Sequence, residues 1–440
     1  MIASQNRLTR RTLLGAALAA GVGSAAVGCA RAGTTSSSDS DGGRTKITMW
    51  THSAGNEGEL AVYKQLIADF NASQEQYEVV QESFPQESYN DAITAAATAG
   101  DLPVLLDMDG PVMPNWAWAG YIQPLGLDAK ITDSLLTTAV GTWKDEIYSA
   151  GYWDAALAIF ARRSVLEKNG IRIPTLDEPW PIDEFTSALE TLKGAGYDTP
   201  LDIGAEDTGE WWPYAYSPML QSAGGDLLDR DTLLSADGLL NGPEAVTFFT
   251  WFQEAFAKGY CSNSGTIGNQ EFADDKAALA YTGSWNAKAA LDTVGEDLLI
   301  LPPPDFGTGA KIGGGSWQWG ISSAATGAQL EGARAYLEFS FQDKYLVAFS
   351  DSQIVIPATD SARQASTYFG ADGALVPFAE LSASAAVLRP ATPAYATIST
   401  TFETAAKDIM SGADIQSTLD TAVADIDANI SSNDGYGASS

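Results

Sequence analysis

The chain is predicted to form an α/β fold of layered sheets and helices, shared between two domains. Three observations carry that expectation. From residue 46 onward, strand-like and helix-like segments alternate. The length of 440 residues exceeds what one hydrophobic core organises. Apolar residues make up 45% of the chain, which is ordinary for globular protein, and no run after residue 28 is long enough to cross a bilayer.

The elements follow in order. Residues 46–51 alternate polar and apolar, with Ile47 and Met49 on one face, as a half-buried strand does. Asn56 with Glu59 three positions on forms a capping-box signature. The helix behind it carries Leu60, Tyr63, Ile67 and Phe70 at spacings of three and four. Residues 77–83 read as a second strand, 88–99 as an Ala-rich helix and 103–106 as a short buried strand. This β-α-β-α-β order predicts a largely parallel sheet. Farther on, Asp183 is placed to cap a helix carrying Phe185, Leu189 and Leu192 and ended by Gly194. Pro243 suits the first turn of a helix with Phe249, Phe252 and Phe256, stopped at Gly259. Residues 277–281 and 298–301 are strand-like, the latter before Pro302-Pro303-Pro304; residues 331–341 and 397–410 are helical in pattern. Residues 431–440, rich in Gly, Ser, Asn and Asp, read as a frayed, disordered tail.

The first 45 residues set the compartment. Arg10 and Arg11 precede an apolar run over 13–27 that is too short to span a membrane comfortably, and it ends at Gly28-Cys29. A basic front with a short apolar centre is an export signal, here residues 1–28, and paired arginines suit the route that moves folded proteins. Cys29 stands where a bacterial lipoprotein is acylated, although Ala26 occupies the position usually given to Leu. Residues 29–45 then serve as a flexible tether. With Cys29 lipidated, Cys261 has no disulfide partner and is expected as a small buried side chain.

Charge and composition exclude several functions. The net charge is −32, and loss of Arg7, Arg10 and Arg11 with the signal takes it to −35. Such a surface repels phosphate backbones and anionic membranes alike, so nucleic acid is excluded and lipid is the only anchor. One histidine, His52, leaves no basis for Ser-His-Asp chemistry or for most His-based metal sites. Asp107-Met108-Asp109-Gly110 begins like a calcium loop, but Pro111 and Val112 follow where oxygen ligands belong. Asp226, Asp229 and Asp231 read as a solvated acidic turn, and Gly313-Gly314-Gly315 lacks the Lys-Ser/Thr of a phosphate loop. No metal, cofactor or catalytic residue is expected.

Twelve tryptophans remain to be explained, several at expected loop ends: Trp50, Trp153, Trp211, Trp212, Trp285, Trp317 and Trp319. A pyranose offers one C–H-lined face that stacks on indole and a rim of hydroxyls that donate and accept hydrogen bonds. Carboxylates, amides and arginine forks satisfy that rim.

An ordered series of motifs then resembles the extracellular solute-binding proteins of ABC sugar importers, in the maltose, trehalose and oligosaccharide branch. Lys46-Ile47-Thr48-Met49-Trp50 is similar to the opening strand and Ile67-Ala68-Asp69-Phe70 to the end of its first helix. Residues 95–103, AAATAGDLP, and Asp109 followed by Ala119-Gly120-Tyr121-Ile122-Gln123-Pro124-Leu125 match its next segments. RRSVLEKNG at 162–170, Pro174-Thr175, Trp180 with Asp183-Glu184-Phe185, Gly283-Ser284-Trp285, GGSWQWGI at 314–321 and Arg389-Pro390 with Pro393 and Tyr395 continue the series. The chain departs at Gly151-Tyr152-Trp153-Asp154, where the family has Gly-x-Pro, and at Ile159-Phe160-Ala161-Arg162.

The resemblance implies a two-lobed fold of the type II periplasmic-binding-protein kind, hinged around a ligand cleft. It implies an N-lobe of 46–153 and 303–345, a C-lobe of 154–302 and 346–430, and delivery of a sugar by a monomer to ABC permease subunits. Carried over position by position, Glu57 and Asp109 are hydroxyl-binding acids, Trp285 and Trp317 stacking rings, and Arg389 a hydroxyl-binding arginine; Trp153 and Asp154 fall near a further contact. Trp211, Trp212 and Trp319 join them on chemistry alone. Two other readings stay open: an exported carbohydrate-cleaving enzyme using a carboxylate pair such as Asp109 and Glu57, and a receptor for a non-sugar solute.

Overall fold

A computed structural model describes residues 43–437. The expected signal, Cys29 and most of the tether lie outside the described residues.

The first sheet grows from the alternating strand β1 (Thr45–Thr51), whose Ile47 and Met49 are fully buried. Helix α1 (Glu57–Ser73) returns the chain, with the Asn56 side chain accepting from the Glu59 N–H at 3.2 Å. Its buried stripe is Glu59, Tyr63, Leu66 and Phe70, so Leu60 and Ile67 lie on the flanks and a carboxylate sits on the apolar face. Strand β2 (Tyr77–Ser83) pairs in parallel with β1 along its whole length. After α2 (Gln86–Ala99) comes β3 (Leu105–Asp109), parallel to β1 on its other side and two residues beyond the expected position.

The strand Trp317–Ser322 lies against β3 but runs antiparallel, with Trp317 opposite Asp109. It enters this lobe from the other one and so travels the opposite way, which limits the parallel pairing to β2, β1 and β3. Beyond it lies a hairpin of Val140–Trp143 and Glu146–Ala150. Lys144 and Asp145 have φ of 49° and 65°, the conformation a tight hairpin turn demands.

A second sheet has the order Leu298–Leu301, Leu157–Arg162, Leu279–Gly283, Leu201–Asp202. Leu157–Arg162 opposes both of its neighbours. The helix Pro243–Ala257 packs Phe248, Phe249 and Phe252 into this lobe's core and stops before Gly259, whose φ of 67° a side chain would resist.

Buried residues fall into cores that mark the lobes. Ile47 to Trp153 and Trp319 to Ala362 line those of the first lobe, and Ala156 to Ile312 and Phe369 to Tyr436 that of the second, which Ile354 and Ile356 also join at the hinge. The chain therefore changes lobe three times, at 153–156, 312–319 and 362–369, rather than at residues 303 and 346. The triple proline does not cross: Asp305 pairs with the backbone around Pro181 in the second lobe.

Two further differences have physical causes. Trp211–Ala223 is a helix, although Pro213 and Pro218 within it obscure any helical pattern. Residues 431–437 are not a frayed tail: the last helix, Ile415–Ser432, runs into a turn whose Tyr436 is buried and meets Trp118 edge-on at 4.8 Å.

Candidate functional site

Three pieces of the first lobe end at one edge of its sheet. β1 ends at Thr51 and leads into His52; β3 ends at Asp109; and antiparallel pairing brings the start of the returning strand, Trp317, beside Asp109. The carboxyl ends of parallel strands are where such sheets hold ligands. From the second lobe, the helix Trp211–Ala223 presents Glu210 at its start, and Trp285 follows the strand Leu279–Gly283. Gly283 permits this placement, because a side chain there would lie 2.1 Å from the Trp285 ring.

Arg389 joins the two sides. Its guanidinium grips Asp109 with both arms, at 2.6 and 3.0 Å, and reaches Glu210 at 2.8 Å. Glu210 also accepts from the Tyr395 hydroxyl at 2.6 Å and the Ser399 hydroxyl at 2.5 Å. Arg389 is buried, which opposes its charge, but Asp109, Tyr395 and Glu210 outweigh that penalty and hold its pKa well above the ordinary value. It lies 5.0 Å from the Tyr214 ring, and its Nε and the Tyr214 hydroxyl have no hydrogen-bond partner.

Aromatic rings stand on either side of this bridge. On the first lobe, Trp317 is half-buried and lies flat on His52, with centroids 3.4 Å apart and planes 7° from parallel. On the second, Trp285 is half-buried, 6.3 Å from Tyr214 and 6.4 Å from Trp211. The row Trp317, Asp109, Arg389, Glu210, Tyr214, Trp285 thus crosses from one lobe to the other.

Residues 65–376 match the family described as bacterial extracellular solute-binding protein, over more than half of the chain. The chain belongs to that family. The family places this solute-binding protein outside the cytoplasm, and no helix among the described residues is long and apolar enough to cross a membrane. No curated protein matches the sequence significantly.

Solved structures share its fold. The cyclic alpha-maltosyl-1,6-maltose binding protein of Arthrobacter globiformis is 21% identical, with a TM-score of 0.73 over 88% of this chain and 99% of that one. The GacH receptor of Streptomyces glaucescens, solved unliganded and with acarbose, is 20% identical, with a TM-score of 0.72 over 88% and 97%. The maltose/maltodextrin-binding domain of Bdellovibrio bacteriovorus, bound to maltotriose, is 17% identical, with a TM-score of 0.70 over 88% and 100%. The solute-binding protein thus has the two-lobed fold.

Its expected site residues separate into four groups. Asp109, Arg389, Trp317, Trp285 and Trp211 come together at the lobe boundary, although Trp211 is only 7% exposed and its N–H is donated to the Ile203 carbonyl at 3.1 Å. Trp153 and Asp154 form the hinge strand, paired with Ile356–Pro357. The indole N–H of Trp153 donates to Ser316 at 3.0 Å. Asp154 is fully buried and accepts from the Gly315 and Ala155 N–H groups and the Ser382 hydroxyl; burial pushes its pKa up and those donors pull it down. These two belong to the hinge and not to a ligand surface. Trp212 and Trp319 lie in the second and first cores, 0% and 2% exposed, so their rings are unavailable to ligand. Glu57 is exposed in the first turn of α1, and Glu59 rather than Glu57 faces inward.

Sequence reasoning missed Glu210, Tyr214 and His52. Glu210 stands directly before the tryptophan pair that drew attention. A cavity of about 670 Å3 lined by Thr199, Cys261, Glu271 and Met410 lies on the second lobe and shares no residue with this row.

Proposed function

We propose that the protein captures an oligosaccharide between its lobes and hands it unaltered to the permease of an ABC importer. The carrying observation is the row from Trp317 to Trp285, with indole at each end and a guanidinium and two carboxylates between. Indole receives the C–H face of a sugar ring, and the charged middle exchanges hydrogen bonds with hydroxyls. Because the row is divided between lobes, only their approach satisfies both halves of a ligand, and that differential affinity drives closure. The neighbours that bind a cyclic maltosyl-maltose, acarbose and maltotriose support the ligand class.

The reading as a cleaving enzyme loses its carboxylate pair, since Glu57 is exposed and Asp109 is bound in an ion pair by Arg389. Thermal unfolding across mono- and oligosaccharides tests the proposal. A malto-oligosaccharide should raise Tm progressively with the logarithm of its concentration above Kd and be recovered intact; release of shorter sugars, or no stabilisation by any carbohydrate, contradicts it. Cys29 carries the lipid that keeps the receptor, as a monomer, at the outer face of the cell membrane. Cys29→Ala should move the protein from the membrane fraction to the medium, and unchanged membrane retention opposes that anchor.

A further inference from the structure

Beneath Trp317 lies a group of titratable side chains that ligand capture as described does not use. His52, at 7% exposure, is covered on one ring face by the indole. From β3, Asp107 Oδ2 meets its Nδ1 at 2.7 Å and its backbone N–H at 3.4 Å, and Asp109 acts from farther off. From α1, Glu59 Oε2 stands 3.9 Å from Nε2, with Tyr63 behind it. From α2, Tyr89 presents its edge to both rings, 6.5 Å from His52 and 5.9 Å from Trp317. Asp107 Oδ1 and Glu59 Oε1 are buried in this pocket beside the Tyr89 and Tyr63 hydroxyls.

We propose that His52 is a positioning residue for Trp317: its ring is the floor on which the indole rests, and the charge on that ring sets how firmly the indole is held for ligand. The proposal rests on reading Trp317 as a ligand-stacking ring. An imidazolium face-to-face with indole is attracted by the ring's negative face, and a neutral imidazole loses that attraction. Burial opposes the imidazolium, but Asp107, Glu59 and Asp109 more than offset it, so His52 stays charged above its ordinary range. A held indole loses less freedom when ligand arrives, and affinity rises accordingly. The charged floor makes capture pH-dependent even for an uncharged sugar.

His52 is the only histidine of the chain, so its imidazole signals in an NMR spectrum of the full protein without a histidine tag are unambiguous. Between pH 5 and 10, the indole N–H of Trp317 in the ligand-free protein should shift with the same midpoint as the His52 ring. Affinity for maltotetraose should fall roughly three- to tenfold through that midpoint, by weakening of a cation–π contact. His52→Gln, which keeps a donor for Asp107 without a charged ring, should bind as weakly as the wild type at high pH and show a flat profile. A Trp317 signal that ignores the His52 midpoint overturns the proposal, as does wild-type affinity and pH dependence in His52→Gln. If that variant does not fold, the ligand-free spectra decide alone. Failure of maltotetraose and every other sugar to bind would count against the oligosaccharide reading and leave the ring coupling to those spectra.

Discussion

At the scale of single residues, the fate of a tryptophan is decided by what meets its faces and its N–H. Trp212 donates to the Asp207 carbonyl at 2.7 Å and packs against Tyr216 and Phe252, so it is part of the core. Trp317 rests one face on His52 and remains half-buried. Trp317→Ala should therefore weaken sugar binding by about 1–3 kcal/mol, roughly 5- to 150-fold in Kd, with little change in Tm. Trp212→Ala should cost about 3–5 kcal/mol in a urea titration. Equal effects of the two on stability would contradict the distinction. The burial of Trp212 was not legible in the sequence, where both residues stand in aromatic clusters near expected loops and only Trp317 has a motif behind it. The difference arises from partners far along the chain, such as Phe252 for Trp212 and His52 for Trp317. That Asp109, Trp285, Trp317 and Arg389 stand at the lobe boundary was legible through motifs, because short local signals mark strand ends and turns.

At the scale of elements, α1 carries a carboxylate on its buried face. Burial raises the Glu59 pKa from the ordinary 4.5 to about 7, opposed by nearby His52 and reinforced by Asp107. A raised folded value means that the stabilisation is complete below pH 4.5 and is lost as pH climbs through about 7. His52, also raised, acts with the same sign, its share being lost on the alkaline side of its ordinary 6.5. The Glu59 share amounts to roughly 3 kcal/mol by linkage. Urea midpoints measured from pH 4.5 to 8 should fall for the wild type and fall distinctly less for Glu59→Gln; identical slopes would remove Glu59 from the account. The pattern of α1 did announce a helix, and the capping signature gave its start, since both are local. Which stripe faces the sheet was not legible, because the stripes at 59, 63, 66 and 70 and at 60, 63, 67 and 70 differ by a small rotation that only packing resolves. The helix Trp211–Ala223 escaped for a different reason: Pro218 in its interior opposes helix locally, and burial of nearly every residue overrides it.

At the scale of the whole molecule, the lobes meet through a few identifiable contacts. Arg389 links Asp109 to Glu210, Asn115 donates to the Pro393 carbonyl at 2.9 Å, and Trp118 abuts Tyr436. The hinge is held by Asp154, which ties the crossings at 154 and 315 to Ser382 of the second lobe. Two lobes were legible from length and motif order, whereas the points of crossing were not: a proline run suggests a linker, but Pro302 to Pro304 stay with the second lobe. In the proposed function a ligand enters between Trp317 and Trp285 while the chain pivots at that hinge. The most direct measurement is a crystal structure of the protein with maltotetraose. The account predicts a sugar ring against Trp317, another against Trp285, and hydroxyls bonded to Asp109, Arg389 or Glu210. Maltotetraose bound instead in the second-lobe cavity beside Cys261 and Glu271, with the row from Trp317 to Trp285 untouched, would contradict it.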